Sequence, residues 1–402
     1  MDTITPDNLA SIEFSLKWGK NGIKHEDRYY AQRVNFWRDI LPPALAEKIM
    51  GASTGERLAH AFAPGEIIPP TSTQAIHPVA HARVEGRLGD GTACRPRYGR
   101  FYPRGILQGV SGVFRGNIEP FRCTAVAKSG IQADFNHPLA GIDLTFEARI
   151  CDVREKFEEH GGSLNDWAEQ ITTGPGMQAR CNGEPTDFFT SKAFDRGDPA
   201  DDRLFYRQPR FVQHIDARAI ETIQRLYARL IPEDSRVLDL MSSWTSHLPD
   251  SLKTRSVDGL GLNAEELAAN QRLSRHVVQD LNRDTHLPFD DGAFDAAVCT
   301  VSVEYLTRPF DVFEEMARVL APGGIFIVTF SNRWFPPKAI RVWTEIHPFE
   351  RMGLVREYFS RSGRFAKLET FSSQGWPRPD DDKYAGQMLF SDPVFGVWGR
   401  RV

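Results

Sequence analysis

The sequence has few cysteines, no long hydrophobic run and little net charge, and each lack argues against a class of protein. Its five cysteines are widely spaced and form no Cys-x-x-Cys pair or Cys/His grouping with zinc spacing. We therefore expect reduced thiols, no metal site and a cytoplasmic protein. No stretch approaches the roughly 20 apolar residues of a membrane span, and the start, MDTITPDNLASIEF, lacks the basic and apolar regions of a signal peptide. The net charge of −4 gives no electrostatic reason to expect nucleic acid or a membrane surface as a partner.

Glycine is missing from one stretch where it is usually found, RVLDLMSSWTSHLP (236–249). RVLDL predicts the first buried strand of an α/β sheet, and a glycine-rich binding loop usually follows such a strand. Here the residues that follow are Met241, Ser242, Ser243, Trp244 and Thr245. The stretch is therefore either a binding loop with an unusual lining or an ordinary strand and turn.

Three regions of the 402 residues differ in their pattern. Residues 1–155 predict an antiparallel β domain with hairpins, with strands at 11–18, 119–127, 131–135 and 144–153 and a helix at 41–51. Residues 156–205 are rich in glycine, proline and aspartate and predict a connector. Residues 206–402 alternate helix and strand patterns, which predicts a doubly wound parallel sheet with its ligands beyond the carboxyl ends of the strands. The predicted class is thus α+β, with two domains.

The C-terminal region carries a specific set of motifs: VLDL (237–240), then VVQDLNRDTHLPFDDGAFDAAVCTVSVEYL (277–306), then RVLAPGG (318–324). In this order they resemble a class I S-adenosylmethionine-dependent methyltransferase with its Rossmann-like fold. The resemblance implies S-adenosylmethionine as the cofactor. It implies that Asp239 orders the loop around the methionine part and that Asp280 and Leu281 lie at the adenine. The other residues it places at the cofactor are Met241, Ser242, Ser243, Trp244, Gly261, Asn263, Asn282 and Thr300.

The first departure from this family concerns the glycines, whose usual positions are taken by Met241, Ser243 and Thr245. Trp244 beside them either covers the adenosyl group or fills the core, and we favour the core. A narrower group, in which a methyltransferase domain follows a prolyl-isomerase-like domain, is similar to LDLMSSW, GLGLN and SVEYL. That similarity favours a variant binding loop over an ordinary strand and turn.

The second departure concerns the acidic residue that usually ends the second strand and binds the ribose, because Gly261 stands there. Asn263 either hydrogen-bonds a ribose hydroxyl in its place or, with Glu266, starts the next helix in a capping box. Both interpretations fit the sequence.

The N-terminal region has motifs of its own: ADFNHPLAGIDLTFEARICDVRE (133–155), LPPALAEKIMGASTGERLAHAFAPGE (41–66) and RFYPRGILQGVSGVF (100–114). They resemble an FKBP-type prolyl isomerase of the SlyD-like branch, with residues 100–114 similar to its flap insert. Phe36, Trp37, Phe101 and Tyr102 either line an isomerase pocket or pack in a core. The resemblance implies an FKBP-like domain, either active or retained as a scaffold that covers the methyltransferase domain or a dimer partner, and we favour the scaffold.

Methyl transfer from a sulfonium is an in-line displacement, so the protein mainly aligns the acceptor in a closed site. The candidates on the acceptor side are Tyr206, in a segment where family members often have a lid, and His247, Glu304 and Tyr305. Each of the last three also has a role outside the site that fits the sequence. His247 would be solvated on the first helix, Glu304 would face solvent, and Tyr305 would be a packing residue. We expect a small-molecule acceptor and single out a small thiol, because part of a thiol is already thiolate near neutral pH. Homo-oligomer formation is left open.

Two functions from different classes fit this sequence. The favoured one is a working methyltransferase with an accessory isomerase-like domain. The rival is a prolyl isomerase or chaperone whose methyltransferase-like domain has lost its cofactor. The missing glycines and ribose carboxylate support the rival, whereas Asp239, Asp280 and the LPF–FD spacing argue against it. Modification of a protein presented by the isomerase-like domain is a third interpretation.

Overall fold

A computed structural model describes residues 3–87, 91, 93–156 and 162–402. The strands are β1 (Asn8–Lys20), β2 (Ile23–Asn35), β3 (Arg57–Phe62), β4 (Ile76–Ala80), β5 (Phe101–Pro103), β6 (Pro120–Val126), β7 (Gly130–Asp134), β8 (Leu144–Glu155), β9 (Arg236–Leu240), β10 (Ser256–Gly261), β11 (Arg275–Val278), β12 (Phe294–Thr300), β13 (Leu320–Phe330), β14 (Phe365–Gln374) and β15 (Val394–Arg401). The helices are α1 (Pro43–Ile49), α2 (Trp167–Thr172), α3 (Asp202–Phe205), α4 (Ala217–Leu230), α5 (Ala264–Ala269), α6 (Pro309–Val319), α7 (Arg341–Thr344) and α8 (Pro348–Ser362). None of these helices is long and apolar enough to cross a bilayer.

The C-terminal strands form a doubly wound sheet in the order β11-β10-β9-β12-β13-β15-β14. Neighbouring strands from β11 to β13 are parallel, and β15 is antiparallel to both β13 and β14. Both faces are covered, which is why RVLDL and FDAAVCT read as nearly continuous apolar runs. Ile223 of α4 belongs to the core on one face, and Phe313 of α6 and Phe359 of α8 belong to the core on the other. The predicted α/β sheet is confirmed.

The N-terminal strands are antiparallel, as predicted, but they do not form a separate sheet. β2, β1, β8 and β3 continue the C-terminal sheet, because β2 pairs in parallel with β14 from Lys24–Glu369 to Tyr29–Gln374. The result is one sheet of eleven strands. A second sheet, β4-β7-β6-β5, is formed by the chain between β3 and β8. The predicted division at residues 155 and 205 therefore does not correspond to a break between sheets.

A buried ion pair also joins the two halves. The Arg100 guanidinium donates to Glu350 of α8 at 2.9 Å, and the backbone N–H of Phe101 donates to the same carboxylate oxygen. The Phe101 ring packs in the C-terminal core, whereas Tyr102 packs on the small second sheet. Trp37 is 54% exposed. The four aromatic residues considered for an isomerase pocket are thus dispersed, because β5 directs two of them into different cores.

The connector is held by buried charges. Lys338, which is fully buried, lies 2.9 Å from Asp198 and 3.1 Å from Asp202. Arg196 donates to both carboxylate oxygens of Asp202. These contacts fix α3 against the C-terminal sheet, so this part of the connector becomes a wall of the site described below.

We predict that Arg100→Met destabilises the full chain by about 3–5 kcal/mol, because it leaves the Glu350 carboxylate buried without its cation. Lys17→Met is the matched control, since it removes the exposed partner of Glu147 and should cost no more than about 1 kcal/mol. Urea unfolding followed by tryptophan fluorescence measures both. Equal effects of the two substitutions would contradict the importance of the buried pair.

Candidate cofactor and acceptor site

The carboxyl ends of β9, β10 and β12 meet at one edge of the sheet, where this architecture binds its ligands. A cavity of about 120 Å³ lies beside the ends of β10 and β11. A larger one of about 550 Å³ lies beyond β9, β12 and β13. Both are lined by Met241, Ser242, Ser243, Val301, Ser302, Tyr305, His214 and Phe335. The two cavities therefore form one cleft.

The loop after β9 is built without glycine. Met241 adopts φ +58°, a left-handed conformation that costs an L-residue roughly 1–2 kcal/mol, and His247 adopts φ +51°. No helix follows β9 before β10 begins, so the expectation that His247 lies on a first helix is wrong. The left-handed residues and Pro249, which lacks an N–H donor, interrupt helical hydrogen bonding there. The chain nevertheless makes the turn that glycine usually makes, and binding by this loop stays a prediction.

Gly261 allows this loop to approach β10. The Ser242 N–H donates to the Leu260 carbonyl at 2.8 Å, and a Cβ atom at position 261 would lie 2.2 Å from the Ser242 carbonyl oxygen. No side chain fits there. The acidic residue that usually ends this strand is therefore excluded by the course of the Met241–Ser242 backbone.

Asp239, at the end of β9, is hydrogen-bonded to the loop that follows it. Its side chain is buried and accepts a hydrogen bond of 2.5 Å from the Ser242 hydroxyl. Burial raises the pKa of Asp239 to about 7, although hydrogen bonds from Ser242 and Ser246 oppose that shift. Asp239 thus contacts the loop directly, and its predicted role at the methionine part of the cofactor stays a prediction.

Asn263 caps α5 and is fully engaged. Its Oδ1 accepts from the N–H groups of Glu265 and Glu266, and its Nδ2 donates to the carbonyls of Tyr206 and Arg207. The helix-cap alternative therefore describes Asn263. Its amide also fastens the segment that contains Tyr206 over the smaller cavity.

Glu266 is a site residue that the sequence interpretation missed. It does not complete a capping box: one carboxylate oxygen accepts from the Arg210 N–H at 2.7 Å and the other from the Ser243 hydroxyl at 2.6 Å. Its carboxylate lines the smaller cavity, five positions after Gly261. The Asn263-x-x-Glu266 spacing predicted only that Glu266 helps to start a helix.

Asp280, Leu281 and Asn282 follow β11 at the far end of the smaller cavity. Asp280 accepts from the Asn282 N–H at 2.9 Å, and partial burial raises its pKa. The Asn282 side chain is occupied by the wall, since its Nδ2 donates to Asp202 and to the Tyr305 carbonyl. Of the two polar side chains, Asp280 is thus the one available to a ligand.

The segment between α3 and α4 covers the smaller cavity. Tyr206 lines this cavity and not the larger one. The Arg210 guanidinium lies 4.5–5.5 Å from the ring centres of Phe205, Tyr206 and Phe335. A lid role for the segment around Tyr206 stays a prediction.

The larger cavity has aromatic walls and two imidazoles. Trp244 is half-buried and lines it rather than filling the core, with its Nε1 donating to the Val212 carbonyl at 3.4 Å. Burial, with a smaller contribution from His214 nearby, lowers the pKa of His247 to about 4. Burial also lowers the pKa of His214. Within the part of the chain that the structure describes, neither imidazole has a hydrogen-bond partner, so both neutral rings are available to a ligand.

The remaining predicted residues differ in their surroundings. Glu304 is 1% exposed and lines neither cavity, so it neither faces solvent nor reaches the acceptor side. Burial raises its pKa to about 8. Tyr305 lines both cavities, with its hydroxyl accepting from the Phe335 N–H at 2.8 Å. Thr300 lines the larger cavity and bonds the Tyr227 hydroxyl at 2.6 Å. Among the described residues, no group of three or more His, Cys, Asp or Glu side chains is placed to hold a metal ion.

Residues 243–328, about a fifth of the chain, match a family model described as a methyltransferase domain. The match includes part of the loop after β9, Asp280, β12 and most of β13. The C-terminal half contains a methyltransferase domain. The prediction of this domain type, with S-adenosylmethionine as its cofactor, is confirmed.

Relatives of the methyltransferase domain are distant. Over 95 residues the chain is 30% identical to a ubiquinone biosynthesis O-methyltransferase of Psychrobacter cryohalolentis, covering 21% of this chain and 37% of that protein. Over 167 residues it is 26% identical to a malonyl-[acyl-carrier protein] O-methyltransferase of Marinomonas sp., covering 38% and 60%. The chain thus spans less than two thirds of either relative. A solved S-adenosylmethionine-dependent methyltransferase of Aquifex aeolicus has a TM-score of 0.32 and 16% identity, covering 50% of this chain and 97% of that one.

We predict that Gly261→Ala weakens binding of S-adenosylhomocysteine by about 10- to 100-fold, because overpacking of about 1–3 kcal/mol displaces the Ser242 backbone. Gly19→Ala is the control, since its Cβ would only touch the Ile23 carbonyl oxygen at 3.7 Å. Isothermal titration calorimetry measures both. Unchanged affinity of the Gly261 variant would show that the loop does not shape the cofactor cavity.

Proposed function

We propose that this protein is an enzyme that transfers a methyl group from S-adenosylmethionine to a small molecule bound in the larger cavity. The observation that carries the proposal is the single cleft at the carboxyl edge of the sheet, with carboxylates at its smaller end and unpartnered imidazoles at its larger end. When bound, the cofactor would supply an electrophilic methyl group on a sulfonium.

The smaller cavity offers groups that suit a nucleoside. Asp280 would accept from the exocyclic amine of adenine, as the family resemblance implies. Glu266 would accept from ribose hydroxyls, because Ser243 and the Arg210 N–H occupy only part of its acceptor capacity. Asp239, through Ser242, would keep the loop in place around the methionine part.

His247 is the base that we propose for the acceptor. Its lowered pKa keeps the imidazole neutral at physiological pH, and it lines the larger cavity without a protein partner. It would remove a proton from a hydroxyl or amine as the new bond to carbon forms. Trp244, Tyr305 and Phe335 would exclude water around the acceptor, which strengthens every electrostatic interaction inside.

The acceptor is proposed to be a small organic molecule. The relatives described above are named as O-methyltransferases, and another, of Geobacter sp., as a ubiquinone/menaquinone biosynthesis C-methyltransferase. These names favour oxygen or carbon over the thiol that we singled out from the sequence. A thiol is kept among the acceptors to be tested, because its methylation depends least on a base such as His247.

For the N-terminal half we propose an FKBP-like scaffold of the SlyD-like branch. This is supported by four antiparallel strands, by α1 before β3, and by a small sheet inserted between β3 and β8. We assign it a structural role, because β2 pairs with β14 and Arg100 with Glu350. The dispersed aromatic residues give no specific support to the isomerase alternative. A cytoplasmic location stays a prediction.

The proposal predicts micromolar binding of S-adenosylmethionine and S-adenosylhomocysteine to the purified full chain. Asp280→Ala should weaken it by about 10- to 100-fold, which corresponds to one hydrogen bond to a charged group. Asp250→Ala, at an exposed position, is the matched control. Isothermal titration calorimetry gives the affinities. Folded protein that binds neither compound would overturn the proposed function.

His247→Asn should lower the turnover of hydroxyl acceptors by about 100- to 10,000-fold, with little change for thiols, since asparagine tolerates the left-handed backbone but provides no base. For the wild type, protonation of the His247 imidazole should lower kcat/KM only as the pH falls towards about 4, well below the pH at which Asp239 becomes protonated. His276→Asn, at an exposed position, is the control. Equal turnover with hydroxyl acceptors in both variants would exclude His247 as the base.

A further inference from the structure

A third cavity lies on the same edge of the sheet as the proposed active site. Its volume is about 570 Å³, and it is walled by both halves of the chain: Tyr29 of β2, Phe349 of α8, Phe395 of β15, and Met388 and Phe390 of the segment between β14 and β15. We call it the outer groove. No residue in it is used by the proposed function.

The outer groove lies on this edge because of strand direction. β15 is antiparallel to β13 and β14 is antiparallel to β15, so β14 runs in the direction of the methyltransferase strands. β2 pairs in parallel with β14 and therefore ends at the same edge. The last paired residues, Tyr29 and Gln374, both line the groove.

Only one turn of chain separates the outer groove from the larger cavity. Tyr384 lines the larger cavity and Met388 lines the groove, and the Met388 N–H donates to the Tyr384 carbonyl at 2.9 Å. Arg333 bridges the turn, with its guanidinium 4.6 Å from the Tyr384 ring centre and its Nη1 3.9 Å from the Met388 sulfur. Asn332 lines both spaces. The two spaces are thus neighbours along one wall.

The lip of the outer groove is apolar and uncovered. Leu389 is 84% exposed and Phe390 is 51% exposed, while Pro348, Phe349 and Phe395 form apolar walls. Contact with another apolar surface would remove these side chains from water, and the free energy of binding is favourable for that reason. The turn at Tyr384–Met388 stands between this surface and the larger cavity, and Asn332 lines both spaces.

We propose that the outer groove binds the hydrocarbon tail of the methyl acceptor, whose reacting group lies in the larger cavity. The acceptor class is then amphipathic, with a polar or aromatic head and a tail that passes the Asn332 side of the turn. This inference rests on the proposed function. It also gives the N-terminal half a part in substrate recognition, through Tyr29.

The test uses a series of 4-n-alkylphenols, from ethyl to octyl, titrated below their aggregation limits into full-length protein saturated with S-adenosylhomocysteine. Burial of a methylene contributes about 0.8 kcal/mol, which is about fourfold in affinity. In a groove open on one side we expect about two- to fourfold per methylene once the tail reaches beyond the turn. The double variant Leu389→Ser/Phe390→Ser should reduce this increment towards onefold and leave the affinity of 4-ethylphenol unchanged. Ile118→Ser, at a side chain 87% exposed in the loop before β6, is the matched control and should keep the wild-type increment.

Location is tested with an octylphenol that carries a diazirine at the end of its tail. Crosslinking to Tyr29 or to residues 388–390 supports the proposal, whereas labelling confined to other surfaces overturns it. Affinity that does not depend on tail length, or an increment that persists in the double variant, also overturns it. Sedimentation of the same proteins identifies a competing occupant: a dimer that the double variant converts to monomer would assign the groove to a second copy of this chain. Absence of S-adenosylhomocysteine binding would instead be a failure of the proposed function and is measured first.

Discussion

The parallel pairing of β2 with β14 is the constraint on which the rest of the structure depends. Six residue pairs connect the N-terminal strands to the methyltransferase sheet, so all eleven strands share one twist and one set of edges. Asp27 of β2 is buried at this junction and accepts hydrogen bonds from Trp18, Ser372 and Gln178. Asp27 is 3% exposed, and this burial raises its pKa to about 6. A slip by one residue would turn this carboxylate towards the opposite face.

The pairing of β2 with β14 also shapes the surroundings of the proposed site. It sets the direction of β2 and β14 and thereby forms the outer groove beside the acceptor cavity. Arg100–Glu350 and the charges around Lys338 then fix the N-terminal half and the connector against the same domain. The smaller cavity is lined by Tyr206 and Arg210 of the segment between α3 and α4, and by Asp202 of the connector. The proposed enzyme is thus a methyltransferase domain completed by walls from elsewhere in the chain.

Inside the domain, one close backbone contact explains both departures from the family pattern. Ser242 approaches β10 so closely that position 261 has no room for a side chain. Met241 makes the turn in a left-handed conformation that glycine would adopt without strain. Glu266, held by Ser243 and Arg210, places a carboxylate on the same cavity from the first turn of α5. The loop therefore excludes a carboxylate at position 261 and, through Ser243, holds the Glu266 carboxylate at the cavity instead.

The sequence by itself determined the elements and the domain type. Apolar runs and turn residues sufficed for the parallel strands of the C-terminal sheet, for α1 and for the hairpin of β6 and β7, because these depend on neighbours close in the chain. The roles of Asp239 and Asp280 stay predictions that rest on the family resemblance. Only the tertiary structure decided that β2 joins β14, that Glu304 is buried away from the cleft and that Glu266, Arg210 and His214 line it. These outcomes depend on contacts between residues far apart in the chain, where burial and hydrogen bonding, and not local periodicity, select the partner.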